Sequence, residues 1–219
     1  MRKFLFCLVL LLPTSAISSS GYSTTLLILG DSLSAGYGID IEKGWVHLLQ
    51  QKLSPEHRII NGAVSGDTTG AGLARLPSLL QVYQPEYVLI ELGGNDGLQG
   101  HPLSNMKKNL QTMIKLCRDH QAQPILLGMQ IPPNYGKRYT TQFAAIYTTV
   151  AEENNVPFIP FIFDRFYLED GMIQEDGIHP TELAQPLISE ILFQHLKSII
   201  NPVYGATGNN LLTVDEINE

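Results

Sequence analysis

Four short stretches, far apart in a chain of 219 residues, hold side chains that together suit acyl transfer. They are Gly30-Asp31-Ser32-Leu33-Ser34, Ser65-Gly66-Asp67-Thr68, Gly93-Gly94-Asn95-Asp96 and Asp176-Gly177-Ile178-His179-Pro180. A serine that attacks a carbonyl needs an exposed hydroxyl and an imidazole to take its proton. It also needs an acid to orient the imidazole and donors for the oxyanion. Ser32 supplies the hydroxyl. Of six histidines, His179 alone stands in such a stretch beside an acid, Asp176, three residues earlier with Gly177 between them. Glycine permits a tight turn, and Pro180 biases His179 away from helical angles, so acid and base arrive as one unit. The backbone N–H groups of Ser32 and Gly66 and the Asn95 side-chain amide are the candidate oxyanion donors, Gly66 because it has no Cβ to block a substrate. Each group also has a plainer reading: Asp176 as a turn cap, His179 as a surface residue, Asn95 as a tie between two loops.

These stretches must be carried to one place, and the elements between them do so. Apolar runs at Thr25–Leu29, Arg58–Asn61, Tyr87–Leu92, Pro124–Gln130 and Val156–Ile162 read as strands. Leu26–Leu29 and Val88–Ile90 are apolar on consecutive residues, as in a parallel sheet covered on both faces. Helical stripes alternate with them: Trp45, Leu48, Leu49 and Leu53; Leu73, Leu76, Leu80 and Tyr83 despite Pro77; Leu103, Met106, Leu110, Met113 and Cys117; Phe143, Ile146, Tyr147 and Val150; and a last helix from about Thr181 to Ile200. Five β-α repeats imply right-handed crossovers and an α/β fold, a three-layer αβα sandwich on a five-stranded parallel sheet. In such a sheet the carboxyl ends of the strands share one edge, where ligands bind. The four stretches, and Ile131-Pro132-Pro133-Asn134-Tyr135-Gly136 after the fourth strand, all fall on that edge. His47 and His195 lie in helical patterns, His57 and His120 precede strands at the opposite edge, and His101 is a candidate substrate contact. Apolar Leu98, Met129, Ile131, Pro132 and Tyr135 are candidate walls of an acyl groove.

The four ordered blocks resemble those of the SGNH, or GDSL, hydrolases. Gly72-Leu73-Ala74-Arg75-Leu76-Pro77, Glu91 to Leu98 and Asn134-Tyr135-Gly136 further resemble the bacterial thioesterase I, lysophospholipase and arylesterase subgroup. The resemblance spans roughly Thr24 to Ile200. It implies a flavodoxin-like fold, Ser32 as nucleophile, His179 as base, Asp176 as acid, and Ser32, Gly66 and Asn95 as oxyanion donors. It also implies a periplasmic location, no cofactor or metal, and small-molecule acyl esters or thioesters as substrates.

Several other classes fit poorly. No His-Glu-x-x-His or cysteine pair suggests a metal; no Gly-Lys-Ser/Thr suggests a nucleotide; and Gly-x-Ser-x-Gly is absent. Cys117 continues an apolar helical stripe, which suits packing better than attack. A rival from another class is a periplasmic lipid-binding protein that uses the same pocket without turnover. Residues 1–20, with Arg2 and Lys3 before an apolar run at Phe4–Leu12 and small residues at Pro13–Ala16, have the layout of a cleaved signal peptide. Cleavage at Ala16 or nearer Ser20, and retention as an anchor, both fit that layout, although the run is short for a bilayer span. Cleavage leaves Cys117 as the sole cysteine and 12 basic against 21 acidic residues, a formal −9 in place of −7. That charge excludes nucleic acid as a partner, and lack of a disulfide in an exported chain suits a bacterial periplasm. The expected organisation is a leader (1–20), one hydrolase domain (21–201) and a loose tail (202–219), monomeric and without stable membrane insertion once the leader is removed.

Overall fold

The computed structural model describes residues 24–200; the leader and tail expected at 1–20 and 202–219 lie outside them. Five parallel strands, β1 (Thr24–Gly30), β2 (His57–Asn61), β3 (Tyr87–Glu91), β4 (Gln123–Leu127) and β5 (Phe158–Ile159), form one sheet in the order β2-β1-β3-β4-β5. Because successive side chains of a strand face opposite ways, β1 divides itself between two cores. Leu27 and Leu29 join helices α3 (Thr69–Tyr83), α5 (Leu103–Asp119) and α6 (Lys137–Asn154) on one face. Leu26 and Ile28 join α2 (Trp45–Leu53) and α7 (Gln185–Ile200) on the other. All four are fully buried, each worth roughly 2 kcal/mol of apolar transfer. The sheet is therefore covered on both sides, as its unbroken apolar runs require. Among the described residues no helix is long and apolar enough to cross a membrane.

Element boundaries depart from the sequence reading where proline and loop chemistry intervene. The fifth strand, expected over Val156–Ile162, shrinks to Phe158–Ile159 because Pro157 and Pro160 remove ladder donors on either side. β4 starts one residue earlier than expected and ends at Leu127, so that Met129 and Ile131 leave the sheet for the cavity described below. His57 lies within β2 rather than before it, and is buried. The final helix opens with a 3-10 turn at Glu182–Ala184 and becomes α-helical only from Gln185. Two short helices were not anticipated: α1 (Ser32–Ala35), capped by the Asp31 side chain accepting from Leu33 N, and α4 (Gly94–Leu98). Both begin within the stretches proposed to carry chemistry.

The strand order decides where those stretches meet. From β1, inside the sheet, the chain goes out to β2 at one edge, then returns to β3 on the other side of β1. Loops on either side of such a reversal diverge and leave a crevice at the carboxyl ends of the strands. Ser32 stands at the end of β1 and Asn95 just past β3.

Candidate active site

Ser32 is the first residue of α1, so its backbone N–H has no intrahelical partner and its side chain stands at the mouth of the turn. Its hydroxyl lies 2.8 Å from His179 Nε2. His179 Nδ1 lies 2.6 Å from Asp176 Oδ2, and Asp176 Oδ1 accepts from the N–H of Ile178 at 2.9 Å and of His179 at 3.0 Å. One carboxylate thus fixes both the ring and the backbone that bears it. Although partial desolvation pulls the Asp176 carboxyl upward, the N–H and ring of His179 and the N–H of Ile178 outweigh it and hold the group below its usual range. Asp176 is therefore ionised at neutral pH and accepts the Nδ1 proton. That leaves the Nε2 lone pair facing the Ser32 hydroxyl. Tyr37 covers the imidazole, its ring centroid 4.4 Å away at a tilt of 36°.

Below this surface the turn that carries Ser32 is built on buried acids. The β1–β3 register sets Gly30 opposite Glu91. A Cβ at Gly30 would come within 2.5 Å of Glu91 Oε2, so only glycine fits there. The same Oε2 accepts from Ser34 Oγ at 2.5 Å and from Asp31 N at 3.3 Å, while Glu91 Oε1 has no hydrogen-bond partner among the described residues. Burial, reinforced by the charge of Asp31, pushes the Glu91 carboxyl well above its usual range. Burial likewise raises Asp31, to about 6, against the Leu33 N–H and the charge of His179, which lower it.

The other predicted groups take different positions. Gly66 lines the cavity with φ +86, and nothing lies within 4 Å of where its Cβ would be. Its left-handed backbone favours glycine, and the open space beside it faces the cavity, where a substrate would approach. The Asn95 amide donates to Asp31 Oδ2 at 3.1 Å and to the Asp67 carbonyl at 2.9 Å, so it does tie loops together. Arg75 in turn pairs with Asp67 at 2.5 Å and donates to the carbonyls of Gly62 and Gly30.

A cavity of about 960 Å³ opens over Ser32 and His179. Leu98, Met129, Ile131 and Pro132 line it, as expected, and Phe161, Phe163 and Tyr167 add aromatic walls. Tyr135 is a correction. A 3-10 turn at Pro133–Tyr135 keeps it out of the lining, 40% exposed, with its hydroxyl donating to the Leu98 carbonyl at 3.2 Å. His101 is exposed and also outside the lining. Burial pushes the Cys117 thiol up to about 12, which removes it as a nucleophile. Among the described residues no group of three His, Cys, Asp or Glu side chains is placed to hold a metal ion.

The sequence reading missed Tyr37, Glu91 and the Asp31 clamp. The clue to Glu91 was an acid closing an otherwise apolar strand; Tyr37, in a Gly-Tyr-Gly turn, gave no clue.

Comparison with known proteins gives the chain's relatives. Residues 28–185 match the GDSL-like lipase/acylhydrolase family. An arylesterase of Vibrio mimicus is 47% identical over 196 residues, covering 88% of this chain and 96% of its own. The thioesterase 1/protease 1/lysophospholipase L1 of Escherichia coli K12 is 41% identical over 198 residues, covering 90% of this chain and 92% of its own. Among solved structures, the psychrotrophic esterase EstA from Pseudoalteromonas sp., inhibited by monoethylphosphonate, superposes with a TM-score of 0.79. It is 41% identical and covers 81% of this chain and 99% of its own.

Proposed function

This chain belongs to the GDSL-like lipase/acylhydrolase family and is a hydrolase, and we propose that it cleaves acyl esters and thioesters through Ser32, His179 and Asp176. The observation that carries the assignment is the unbroken run of hydrogen bonds Ser32–His179–Asp176, at 2.8 and 2.6 Å. The apolar cavity beside it suits an acyl chain, and the activities for which the relatives are named, arylesterase and thioesterase/lysophospholipase, fit both leaving groups.

In this mechanism Ser32 Oγ attacks the acyl carbonyl carbon while His179 Nε2 takes the hydroxyl proton. The carbonyl π pair moves onto oxygen, and the oxyanion is met by the N–H groups of Ser32 and Gly66 and by the Asn95 amide. Collapse breaks the bond to the leaving oxygen or sulfur, which receives the proton from His179. Water then attacks the acyl-serine with His179 again as base, and the carboxylic acid departs.

Export to a bacterial periplasm and a monomeric state belong to the same proposal. They rest on the leader-like first 20 residues and on a mature charge of −9 with a single cysteine. Sequencing the N-terminus of protein recovered from a periplasmic fraction tests export, with a start between residues 17 and 21 expected.

A fluorophosphonate probe tests the chemistry. It should label the wild-type protein at Ser32 and leave Ser32→Ala unlabelled; a lipid-binding protein without turnover would leave both unlabelled. Rates on p-nitrophenyl esters of increasing chain length then fix the preferred acyl group.

A further inference from the structure

The mechanism gives no task to Asp31, yet this side chain is 2% exposed and fully engaged. Oδ1 accepts from Leu33 N at 3.1 Å and Oδ2 from Asn95 Nδ2 at 3.1 Å, while the same nitrogen donates to the Asp67 carbonyl at 2.9 Å. Asp31 directly precedes Ser32, and Asp67 directly follows Gly66. The two acceptors therefore anchor one amide nitrogen to the two loops that supply the backbone oxyanion donors. An amide can rotate between its nitrogen and oxygen ends, and the oxygen end would repel an oxyanion. We propose that Asp31 is a positioning residue, whose carboxylate holds the Asn95 amide nitrogen-first toward the oxyanion. Asp67 keeps one amide proton. The other, held by Asp31 at the longer distance, is the one a developing oxyanion draws over. This inference rests on the hydrolase reading above.

The surroundings of Asp31 show how its charge is sustained. Glu91 faces it from β3, Asp67 from the loop after β2, His179 from the loop before α7, and Tyr147 from α6. Glu91 is the deeper acid, and burial raises its carboxyl well above the usual range, which favours negative charge on Asp31 over Glu91. Asn at position 31 is nearly isosteric but cannot accept from both Leu33 N and Asn95 Nδ2 through one oxygen. Ser at position 31 can still cap α1 but is too short to reach Asn95.

A double-mutant cycle on a saturating p-nitrophenyl ester at pH 8 tests this. Asp31→Asn and Asp31→Ser should each lower kcat by roughly 10–100-fold, the worth of a hydrogen bond to a charged group, with KM within about 2-fold. Asn95→Ala should lower kcat by about 10²–10³. In the Asn95→Ala background, Asp31→Asn should cost no more than about 3-fold further, since its effect runs through the amide already removed. As pH falls below about 6, the kcat ratio of wild type to Asp31→Asn should shrink, because wild type then loses the same charge. Fully additive losses, a ratio that does not change with pH, or full kcat in a folded Asp31→Ser would each overturn the assignment. Fluorophosphonate labelling keeps the two readings apart. An unlabelled wild type ends the hydrolase reading, whereas labelled variants with additive losses end only the role of Asp31.

Discussion

The nucleophile's loop and the base's loop hold the same kind of side chain in opposite conditions. Asp31 sits on the hydrophobic core, in contact with the N–H of Leu33 and the amide of Asn95, and burial drives its carboxyl up to about 6. Asp176 sits on a surface turn, its side chain 38% exposed, and three hydrogen bonds within that turn bring its carboxyl below the usual range. The difference lies in what holds each loop. The first is set by the sheet beneath it, where the register of β1 on β3 puts Glu91 under Gly30. The second is set by hydrogen bonds within the turn, by Gln174 and Tyr167, which bond its backbone, and by the ring of Tyr37. One half of the site is therefore as rigid as the core. The other is only as rigid as its local hydrogen bonds.

The largest expected effects fall on the atoms that join the halves. Ser32→Ala should reduce turnover by about 10⁴–10⁶, because members of a triad act as a unit. Asp176→Asn should cost about 10⁴ while leaving the fold intact, since an amide there favours the wrong imidazole tautomer. A loss below about 10-fold would mean that the surface turn does not need its charge. Asn95→Ala comes next at about 10²–10³, as an oxyanion donor anchored on the core-side half through Asp31 and Asp67.

A smaller effect separates the loops by stability. The folded pKa values of Asp31 and Glu91 are raised, so their contribution is fully present below about pH 4 and is lost as pH rises through the folded values. Glu91→Gln should therefore raise the melting temperature at pH 8 by a few degrees, for a gain of about 1 kcal/mol. Asp176 has the opposite sign: its contribution is present above about pH 4 and is lost on acidification. Asp176→Asn should thus leave Tm at pH 8 unchanged or slightly lower; a rise matching that of Glu91→Gln would erase the distinction. Smallest of all, Tyr37→Ala should lower kcat/KM by roughly 2–10-fold through a looser imidazole.

Much of this was legible in the sequence because the decisive signals are local. Consecutive apolar residues at Leu26–Leu29 give a sheet buried on both faces, and Asp176, Gly177, His179 and Pro180 carry the acid, the base and the turn residues within five positions. The missing parts depend on pairing across the chain. Asp31 meets Glu91 only through the register of β1 on β3, and Asp31 meets Asn95 only because two loops flank one crevice. The place of Tyr135 outside the cavity lining goes with a 3-10 turn that an apolar count does not reveal. The shortness of β5 was marked by Pro157 and Pro160, but the apolar run between and beyond them masked it.

The hydroxyl and the imidazole that touches it are 147 residues apart in the chain. A polypeptide emerging from the ribosome or a translocation channel thus carries its attacking group almost from the start, yet has nothing to deprotonate it until synthesis nears its end. On the proposed assignment, fragments cut anywhere short of His179 lack the base, so an incomplete copy exposes a cell to no stray acyl cleavage.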